Sequence, residues 1–370
     1  LFGDGECELL ERFARSGNIL STGSRLRIPL LLQTQRLQDS FDRILTFGMN
    51  SLLHTLRMSY LSGLELPVSA AIYFPRELCW KSEGVSFRQR LTHAVVNAMP
   101  ESNLAFVDET ARFEHARCLG LTLSDSPILR IPIDVARFEQ VKRAPKAFRI
   151  VSIGRLADFK TYNWHMLGAV ATLRAAGLPV EYHIYGDGAK RVFIEHEIHR
   201  LGLESAVTLC GEISYDRFAD VLHDAAVLVG MGTALIEAAA CGVPAVVAIE
   251  SCPGPYTYGF FHCQPDLTIG ELDESKQLKH FTDTLLEVLQ ANKDGYQALC
   301  HEASAAGRHY SMERVLPEYL RFLESARPFA FPIGLGTALA DVADLTWWGF
   351  RRALGLATPF DSRYMAPRVS

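Results

Sequence analysis

Between residues 149 and 249, short apolar runs alternate regularly with stretches of helical pattern, and this alternation constrains the fold more than any other feature. The apolar runs have the length of buried strands, and the stretches between them have the length of helices. Parallel strands joined by such crossovers form a doubly wound α/β sheet, which binds ligands at the carboxyl ends of its strands. We therefore expect a site at those ends. The predicted strands are 149–154, 180–186, 206–211, 225–230 and 244–249, with helices over 162–176, 189–201, 215–224 and 234–241.

The first third of the chain has a similar pattern, with predicted strands at 43–47, 68–73, 104–107 and 128–131 and helices over 51–62, 87–98 and 110–119. A chain of 370 residues is longer than one hydrophobic core usually serves, so two domains are expected. The polar segment after Pro132, which ends at Pro145, is the predicted linker. We assign 1–145 to an N-terminal Rossmann-like domain and 146–310 to a second one. The remainder, 311–370, is predicted to be a C-terminal helix and tail that packs back on the first domain.

Composition and charge exclude several classes of protein. The net charge is -5, and lysines and arginines are scattered along the chain, so nucleic acid is not an expected partner. No window of about 18 apolar residues occurs, which argues against a membrane-spanning helix. The eight cysteines include no CxxC pair and lie mostly in apolar runs, which predicts buried thiols, no disulfides and a cytoplasmic location. The chain opens on Leu1 within a strand-and-helix pattern, which indicates a truncated N-terminus.

The segment "SIGRLADFKTYN" is the most specific motif. A predicted strand ends at Gly154, Arg155 follows at once, and Lys160 stands at the entry to the next helix. Two adjacent phosphates carry more charge than backbone amides offset, and an Arg with a Lys supplies the two cations that a diphosphate needs. Taken alone, the motif is equally typical of a surface loop that carries two cations.

The segment "VLVGMGTALIEAAACGVPAVV" reads as strand, glycine turn, helix, glycine stop and strand. Gly230 and Gly232 would let the backbone approach a ligand, and Thr233 is expected to cap a helix whose amides favour an anion. Glu237 is expected in the first turn, where its carboxylate would accept hydrogen bonds from ribose hydroxyls. The alternative is a structural turn with a solvated Glu237. A third segment, "IYGDGAKR", places Gly186 and Asp187 after another strand, which by itself indicates a turn.

Together these motifs resemble the retaining glycosyltransferases of the two-Rossmann GT-B fold, family four of the sequence classification. The resemblance covers about residues 128 to 325 and adds "ILRIPIDVARF" and "GEISYDRFADVLHDAAVLV" to the segments above. It implies a nucleoside diphosphate sugar donor of the UDP or GDP type, no metal and no further cofactor, and a glycan or glycolipid acceptor held by the N-terminal domain. By the resemblance, Arg155 and Lys160 stabilise the leaving diphosphate, Glu237 binds the ribose and Ile213 lies beside the base. The expected contacts to the donor come from Gly154, Gly186, Asp187, Ile213, Gly230, Met231, Gly232 and Thr233.

The chain departs from the family pattern at two places. The family motif has two glutamates eight positions apart. Glu237 matches one of them, but the position eight before it is Val229, so the amides of Gly232 and Thr233 are expected to contact the sugar instead. The family often has an active-site histidine on an N-terminal strand end, and none stands in "AIYFPREL". Candidate substitutes are Tyr73, Arg76, Glu77 and His54, and Asp108 and Glu109 are candidates to meet acceptor hydroxyls. Packing explains His54 equally well, and a helix cap explains Asp108 equally well.

Two further functions remain open, a nucleotide-sugar epimerase of the same architecture and a non-catalytic glycosyltransferase-like partner subunit. The epimerase would need proton-transferring residues in the cleft. The non-catalytic partner subunit would explain why Val229 stands where the family has a glutamate. A zinc site is not expected, because "HEIHR" lacks the HExxH spacing. The segment 345–356, with Trp347, Trp348 and Phe350 beside arginines, is suited to peripheral membrane contact at the inner face of a membrane. Packing on the N-terminal domain is the alternative.

Overall fold

The computed structural model describes residues 41–74, 77–79 and 86–354, with the backbone alone at 352 and 353. Two sheets organise this part of the chain, one parallel and one mainly parallel. The candidate residue Arg76 lies outside the described residues, and so does the strand-and-helix pattern predicted from Leu1.

The first sheet has three parallel strands in the order β1-β2-β3, with β1 at Ile44–Phe47, β2 at Val68–Ile72 and β3 at Leu104–Phe106. Its helices are α1 at Met49–Ser62, α2 at Phe87–Ala98 and α3 at Glu109–Leu119. The strand predicted at 128–131 is reduced to a single parallel bridge from Ile128 to Phe106. Pro127 and Pro132 flank this segment, and a proline donates no hydrogen bond to a sheet.

The second sheet has seven strands in the order β10-β9-β8-β7-β4-β5-β6. Strands β4 to β8 are parallel and match the five predicted strands, whereas β9 and β10 add an antiparallel edge that the sequence did not predict. The strands are β4 Arg149–Ile153, β5 Glu181–Tyr185, β6 Val207–Gly211, β7 Val227–Gly230, β8 Ala245–Ala248, β9 Tyr256–Phe260 and β10 Lys279–His280. Because β4 lies between β5 and β7, the chain reverses its direction of growth there, and a ligand crevice is expected at the β4 and β7 ends.

Helices cover both faces of the second sheet, and one of them lies in the predicted linker. The helices are α4 Val135–Glu139, α5 Tyr162–Ala175, α6 Arg191–Arg200, α7 Phe218–Leu222, α8 Thr233–Ala240, α9 Phe281–Leu289 and α10 Lys293–Gly307. Asp134 caps α4, and Phe138 is fully buried. The predicted linker is therefore partly helical and packed. Its one short helix was not predicted, because most of the residues around it are polar.

The chain ends, within the described residues, in helices α11 at Met312–Ser325 and α12 at Leu335–Ala353, which lie against the first sheet's domain. Val315, Tyr319 and Phe322 of α11 form a core with Ala71 and Ala105 of the first sheet. No helix in the described ranges is both long and apolar enough to cross a membrane.

The prediction of no disulfides is wrong, because Cys79 and Cys118 form one, with their Cα atoms 5.1 Å apart. The two cysteines are separated by 39 positions, and the fold brings the segment before α2 against the end of α3. The spacing of these cysteines in the sequence does not indicate such a pair. Because the disulfide forms, the cysteines no longer support the prediction of a reducing compartment.

Candidate functional site

Three glycines at the carboxyl ends of β4 and β5 bring two turns into backbone contact. Gly154, Gly186 and Gly188 all have φ between +134° and +152°, which side chains rarely adopt. A side chain on Gly186 would collide with the Gly154 carbonyl oxygen, and one on Gly188 would lie 2.5 Å from the Leu156 carbonyl oxygen. These glycines therefore allow the turns after β4 and β5 to pack directly against each other.

Lys160 extends over this backbone. Its Nζ lies 2.5 Å from the point that a Cβ atom on Gly154 would occupy, so the amine covers the carboxyl end of β4. Burial, helped by the neighbouring Arg155, lowers the pKa of Lys160 to about 8. Arg155 itself is exposed at the same strand end. The structure thus brings both predicted cations to one edge, where an anion would relieve their repulsion.

Asp187 stabilises the turn in which it stands. One carboxylate oxygen accepts a 2.6 Å hydrogen bond from the Gly188 amide, and the other lies 3.5 Å from the Arg191 guanidinium. These contacts hold the entry to α6. Ile213 follows β6 and is partly buried against the core, beside the same edge of the sheet.

The turn between β7 and α8 differs from its prediction in two respects. Gly232, with φ +74°, is the N-cap of α8, and Thr233 is the first helical residue and makes no capping hydrogen bond. The Gly232 amide donates a 2.7 Å hydrogen bond to the Ile269 carbonyl, so this amide already has a partner within the protein, and its contact with a sugar stays a prediction. Glu237 lies in the second turn of α8, not the first. Met231 is buried between this turn and Gly270, which explains why a small residue stands at 270.

Glu237 is buried, with 5% of its surface exposed. Burial raises the pKa of Glu237 to about 7, and the Tyr215 hydroxyl and the Arg137 charge oppose this rise. Neither Tyr215 nor Arg137 was predicted. Both lie more than twenty positions from Glu237 in the sequence and meet it through the fold alone.

A pair of acids, Asp108 and Glu271, joins the two domains. Asp108 follows β3 and caps α3 through a 2.7 Å hydrogen bond from the Ala111 amide, which agrees with the helix-cap alternative. Glu271, which follows β9 in the other domain, lies close enough to affect the ionisation of Asp108, and Glu250 lies nearby. All three carboxylates are at least nine-tenths buried. Burial is the main cause that raises the pKa of both Asp108 and Glu271; the Asp108 charge raises the pKa of Glu271 further, whereas the interaction with Glu271 opposes the rise at Asp108.

The other N-terminal candidates have structural contacts. His54 lies 2.8 Å from an Arg57 nitrogen and is half-buried in the packing of α1. Glu77 accepts a 2.9 Å hydrogen bond from the Met49 amide at the start of α1, and Tyr73 stacks on Phe47 with ring centroids 5.5 Å apart. In the described part of the chain, no group of three or more His, Cys, Asp or Glu residues is placed to hold a metal ion.

Residues 135–257 match the sequence model of the family described as glycosyl transferases group 1. TarM from S. aureus, solved as a mutant in complex with fondaparinux, α-GlcNAc-glycerol and UDP, is similar in structure, with a TM-score of 0.55 and 16% identity over 79% of this chain and 58% of that one. The pneumococcal O-GlcNAc transferase GtfA, in complex with UDP and GlcNAc, has a TM-score of 0.51 and 15% identity over 80% of this chain and 59% of that one. A glycosyltransferase from Rickettsia africae has a TM-score of 0.59 and 11% identity over 88% and 89%. A search of curated proteins finds no match.

These similarities and the two α/β sheets, one parallel and one mainly parallel, define the fold as GT-B, the two-Rossmann architecture of glycosyltransferases. The matched family segment, 135–257, contains β4 to β8, with Arg155 and Lys160 after β4 and Glu237 on α8. This chain spans less than 60% of the length of TarM and of GtfA, so their activities do not follow from the shared fold.

Proposed function

We propose that this protein is a retaining glycosyltransferase that moves a sugar from a nucleoside diphosphate sugar, of the UDP or GDP type, to a glycan or glycolipid acceptor. The observation that carries the proposal is the half-buried Lys160, whose amine lies over the Gly154 backbone at the β4 end. A cation that has lost part of its hydration beside bare backbone is a strong site for a diphosphate. The family segment match at 135–257 supports the same reading.

In this proposal, different residues of the chain contact different parts of the donor. Arg155 and Lys160 neutralise the charge that develops on the diphosphate as the sugar leaves, which is electrostatic stabilisation by groups already in place. Glu237 accepts hydrogen bonds from the ribose, and Ile213 lies beside the base. The sugar lies against the turn at Gly230 and Met231, where Val229 supplies no carboxylate. The solved structures of TarM and GtfA both contain UDP, which favours a uridine donor.

A transfer assay tests this function. The protein is incubated with UDP and GDP sugars and with candidate acceptors, and products are followed by chromatography and by NMR of the anomeric proton. We expect release of the nucleoside diphosphate with an α-linked product from an α-linked donor, and a loss of about 100-fold or more in kcat for Lys160→Ala. An inverted product contradicts retention. Nucleotide binding without turnover favours the partner subunit, and a changed sugar without transfer favours the epimerase.

We further propose that α12 contacts the inner face of a membrane, where a glycolipid acceptor would be found. The inward side of this helix carries Asp341, which is buried in ion pairs with Arg57 and Arg88, together with the buried Ala338 and Trp348. Its outer side carries exposed apolar residues, four of which are more than half exposed, namely Leu335, Leu339, Trp347 and Phe350. Tryptophan and phenylalanine on such a face suit the lipid interface.

Flotation with anionic liposomes tests the membrane contact. The full chain should rise with the vesicles, and the variant with both Trp347→Ser and Phe350→Ser should stay at the bottom. Because both side chains are exposed, the variant should unfold at the same temperature as the wild type. Equal flotation of the two proteins, or flotation of neither, contradicts the membrane contact.

A further inference from the structure

A cavity of about 730 Å³ lies apart from the strand ends of the proposed donor site, and its volume is in the range of small-molecule sites. Arg143 lines this cavity and donates hydrogen bonds to the carbonyl oxygens of Ala225 and Gly242. These two residues precede β7 and β8, so the cavity lies at the amino ends of those strands. Lys160 follows the carboxyl end of β4, on the opposite edge of the sheet.

Helix α10 presents a polar face to the cavity. Six of its residues line the wall at the helical spacings i, i+3, i+4, i+7, i+8 and i+11, namely Lys293, Tyr296, Gln297, Cys300, His301 and Ser304. The helix is packed closely on α8, since a Cβ atom on Gly307 would lie 2.6 Å from the Ala240 nitrogen. The wall is therefore preformed and able to make hydrogen bonds.

Arg143 brings to the cavity a positive charge that no carboxylate of the described residues pairs with. Besides the two carbonyls, its guanidinium contacts the Tyr296 hydroxyl at 3.2 Å and the Cys300 sulfur at 3.6 Å, and all of these groups are neutral. Its Nε is buried and has no hydrogen-bond partner in the described part of the chain. A charge without a counter-ion and a buried donor without an acceptor both cost free energy, which a nearby anion would offset.

The other charged side chains leave the cavity positive. Arg308 and Glu139 neutralise each other, because the Arg308 Nε lies 2.7 Å from a Glu139 carboxylate oxygen. Lys293 is exposed in the first turn of α10 and forms no ion pair with a described residue. With Arg143 and Lys293 unpaired, the lining side chains have a positive net charge, and an anion is the complementary ligand.

We propose that this cavity binds a small phosphorylated molecule of the hexose phosphate type, at a site separate from the donor site. Arg143 and Lys293 supply the two cations that suit a phosphate group. Tyr296, Gln297 and Ser304 supply hydrogen-bonding groups for the hydroxyls of the attached sugar. The proposal goes beyond glycosyl transfer and does not depend on it.

A bound molecule would also fasten the segment between the two domains. Arg143 belongs to the predicted linker, whereas Lys293 belongs to the second domain, and a phosphate held by both would join them. Because such a ligand binds the folded protein and not the unfolded chain, it should raise the unfolding temperature.

The test is calorimetric titration of the full chain at low, fixed ionic strength with glucose 6-phosphate, inorganic phosphate and glucose. Glucose 6-phosphate should bind saturably, inorganic phosphate more weakly, and glucose not measurably. Lys293→Met removes a cation and Gln297→Glu adds a carboxylate, so each should bind glucose 6-phosphate at least about tenfold more weakly. Both residues are exposed, so both variants are expected to fold, whereas Arg143 also holds two backbone carbonyls and is left unchanged.

Three control variants locate the site. Lys279→Met and Gln290→Glu make the same changes at exposed residues that do not line the cavity, and both should bind glucose 6-phosphate as the wild type does. Lys160→Ala, at the donor site, should also bind it with unchanged affinity. Thermal unfolding with and without glucose 6-phosphate gives a second measure, and the rise in temperature should be lost in Lys293→Met.

Absence of saturable binding of both phosphate probes by the folded wild type overturns the inference. Loss of binding in Lys160→Ala with none in Lys293→Met also overturns it, because the phosphate then occupies the donor site. Equal weakening in Lys293→Met and Lys279→Met shows attraction by overall charge alone and overturns it as well. None of these results bears on whether the protein transfers a sugar.

Discussion

Single residues at the carboxyl ends of β4 and β5 decide how closely a ligand can approach. Gly154 and Lys160 could be predicted from sequence, because the strand, the glycine and the two cations stand in one contiguous motif. Tyr215, Arg137 and Glu271 could not, since each meets its partner across a long stretch of chain. Local patterns carry the former kind of information, and only tertiary packing carries the latter.

Gly186→Ala should be strongly destabilising, because the new methyl group would meet the Gly154 carbonyl and φ of +134° is strained for alanine. We expect a loss of at least about 2 kcal/mol in the free energy of unfolding. Gly168→Ala is the matched control. Gly168 lies in the interior of α5 with open space where a Cβ would be, so alanine should stabilise the protein by up to about 1 kcal/mol. Denaturant unfolding measures both, and equal effects would contradict the close contact of the two turns.

Nucleotide affinity should fall as pH rises through about 8, because the Lys160 amine, with its pKa lowered to about 8, loses its proton there. An anion binds the protonated amine, so the limiting slope is about tenfold per pH unit. Lys160→Met should lack this limb, while Lys293→Met, a change on the distant helix α10, should retain it. Calorimetry at fixed ionic strength gives the profile. Persistence of the limb in Lys160→Met would show that another group titrates.

At the scale of elements, the sequence predicted the five parallel strands and their helices because each is a continuous run with its own period. The antiparallel strands β9 and β10 were missed, since β10 has two residues and β9 is interrupted by Gly259. Helix α4 was missed because its five residues make little more than one turn. Short elements depend on their neighbours, so their own sequence contains little signal.

The attachment of α12 depends on one buried carboxylate. Asp341 is 2% exposed and pairs with Arg57 at 2.8 Å and with Arg88 on α2. Asp341→Ala leaves two buried guanidinium groups without a counter-charge, which should cost about 3–5 kcal/mol in the free energy of unfolding. Glu287→Ala, at an exposed pair with Lys279, should cost less than about 1 kcal/mol. Thermal unfolding compares the two variants, and a similar small loss in both would show that the buried pairs contribute little.

At the scale of the whole molecule, the two domains meet at two buried acids, Asp108 and Glu271. Since the pKa values of Asp108 and Glu271 are raised in the folded protein, the folded state keeps a proton that the unfolded state loses above about pH 4. The free energy of unfolding should therefore fall as pH rises from about 4 toward the folded pKa values. The contact that joins the domains is accordingly strongest in mildly acidic solution.

In Glu271→Gln, the residue beside Asp108 is neutral without binding a proton. The variant should be more stable than the wild type at pH 8 by at least about 1 kcal/mol, and the difference should vanish near pH 4. Glu274→Gln, at an exposed position of the same loop, should leave the pH dependence unchanged. Chemical unfolding across this pH range gives the comparison. A steeper fall of stability with pH in Glu271→Gln would contradict a raised pKa of Glu271 in the folded protein.

The central claim is that the edge of the second sheet at β4 and β7 binds a nucleoside diphosphate. The most direct measurement is calorimetric titration of the wild type, Lys160→Ala and Glu237→Ala with UDP, GDP and ADP, without and then with magnesium. We expect one of the three nucleotides to bind the wild type at micromolar concentration without metal, and both variants to bind it at least about tenfold more weakly. Equal affinity in both variants, or no binding by a folded wild type, would contradict the site.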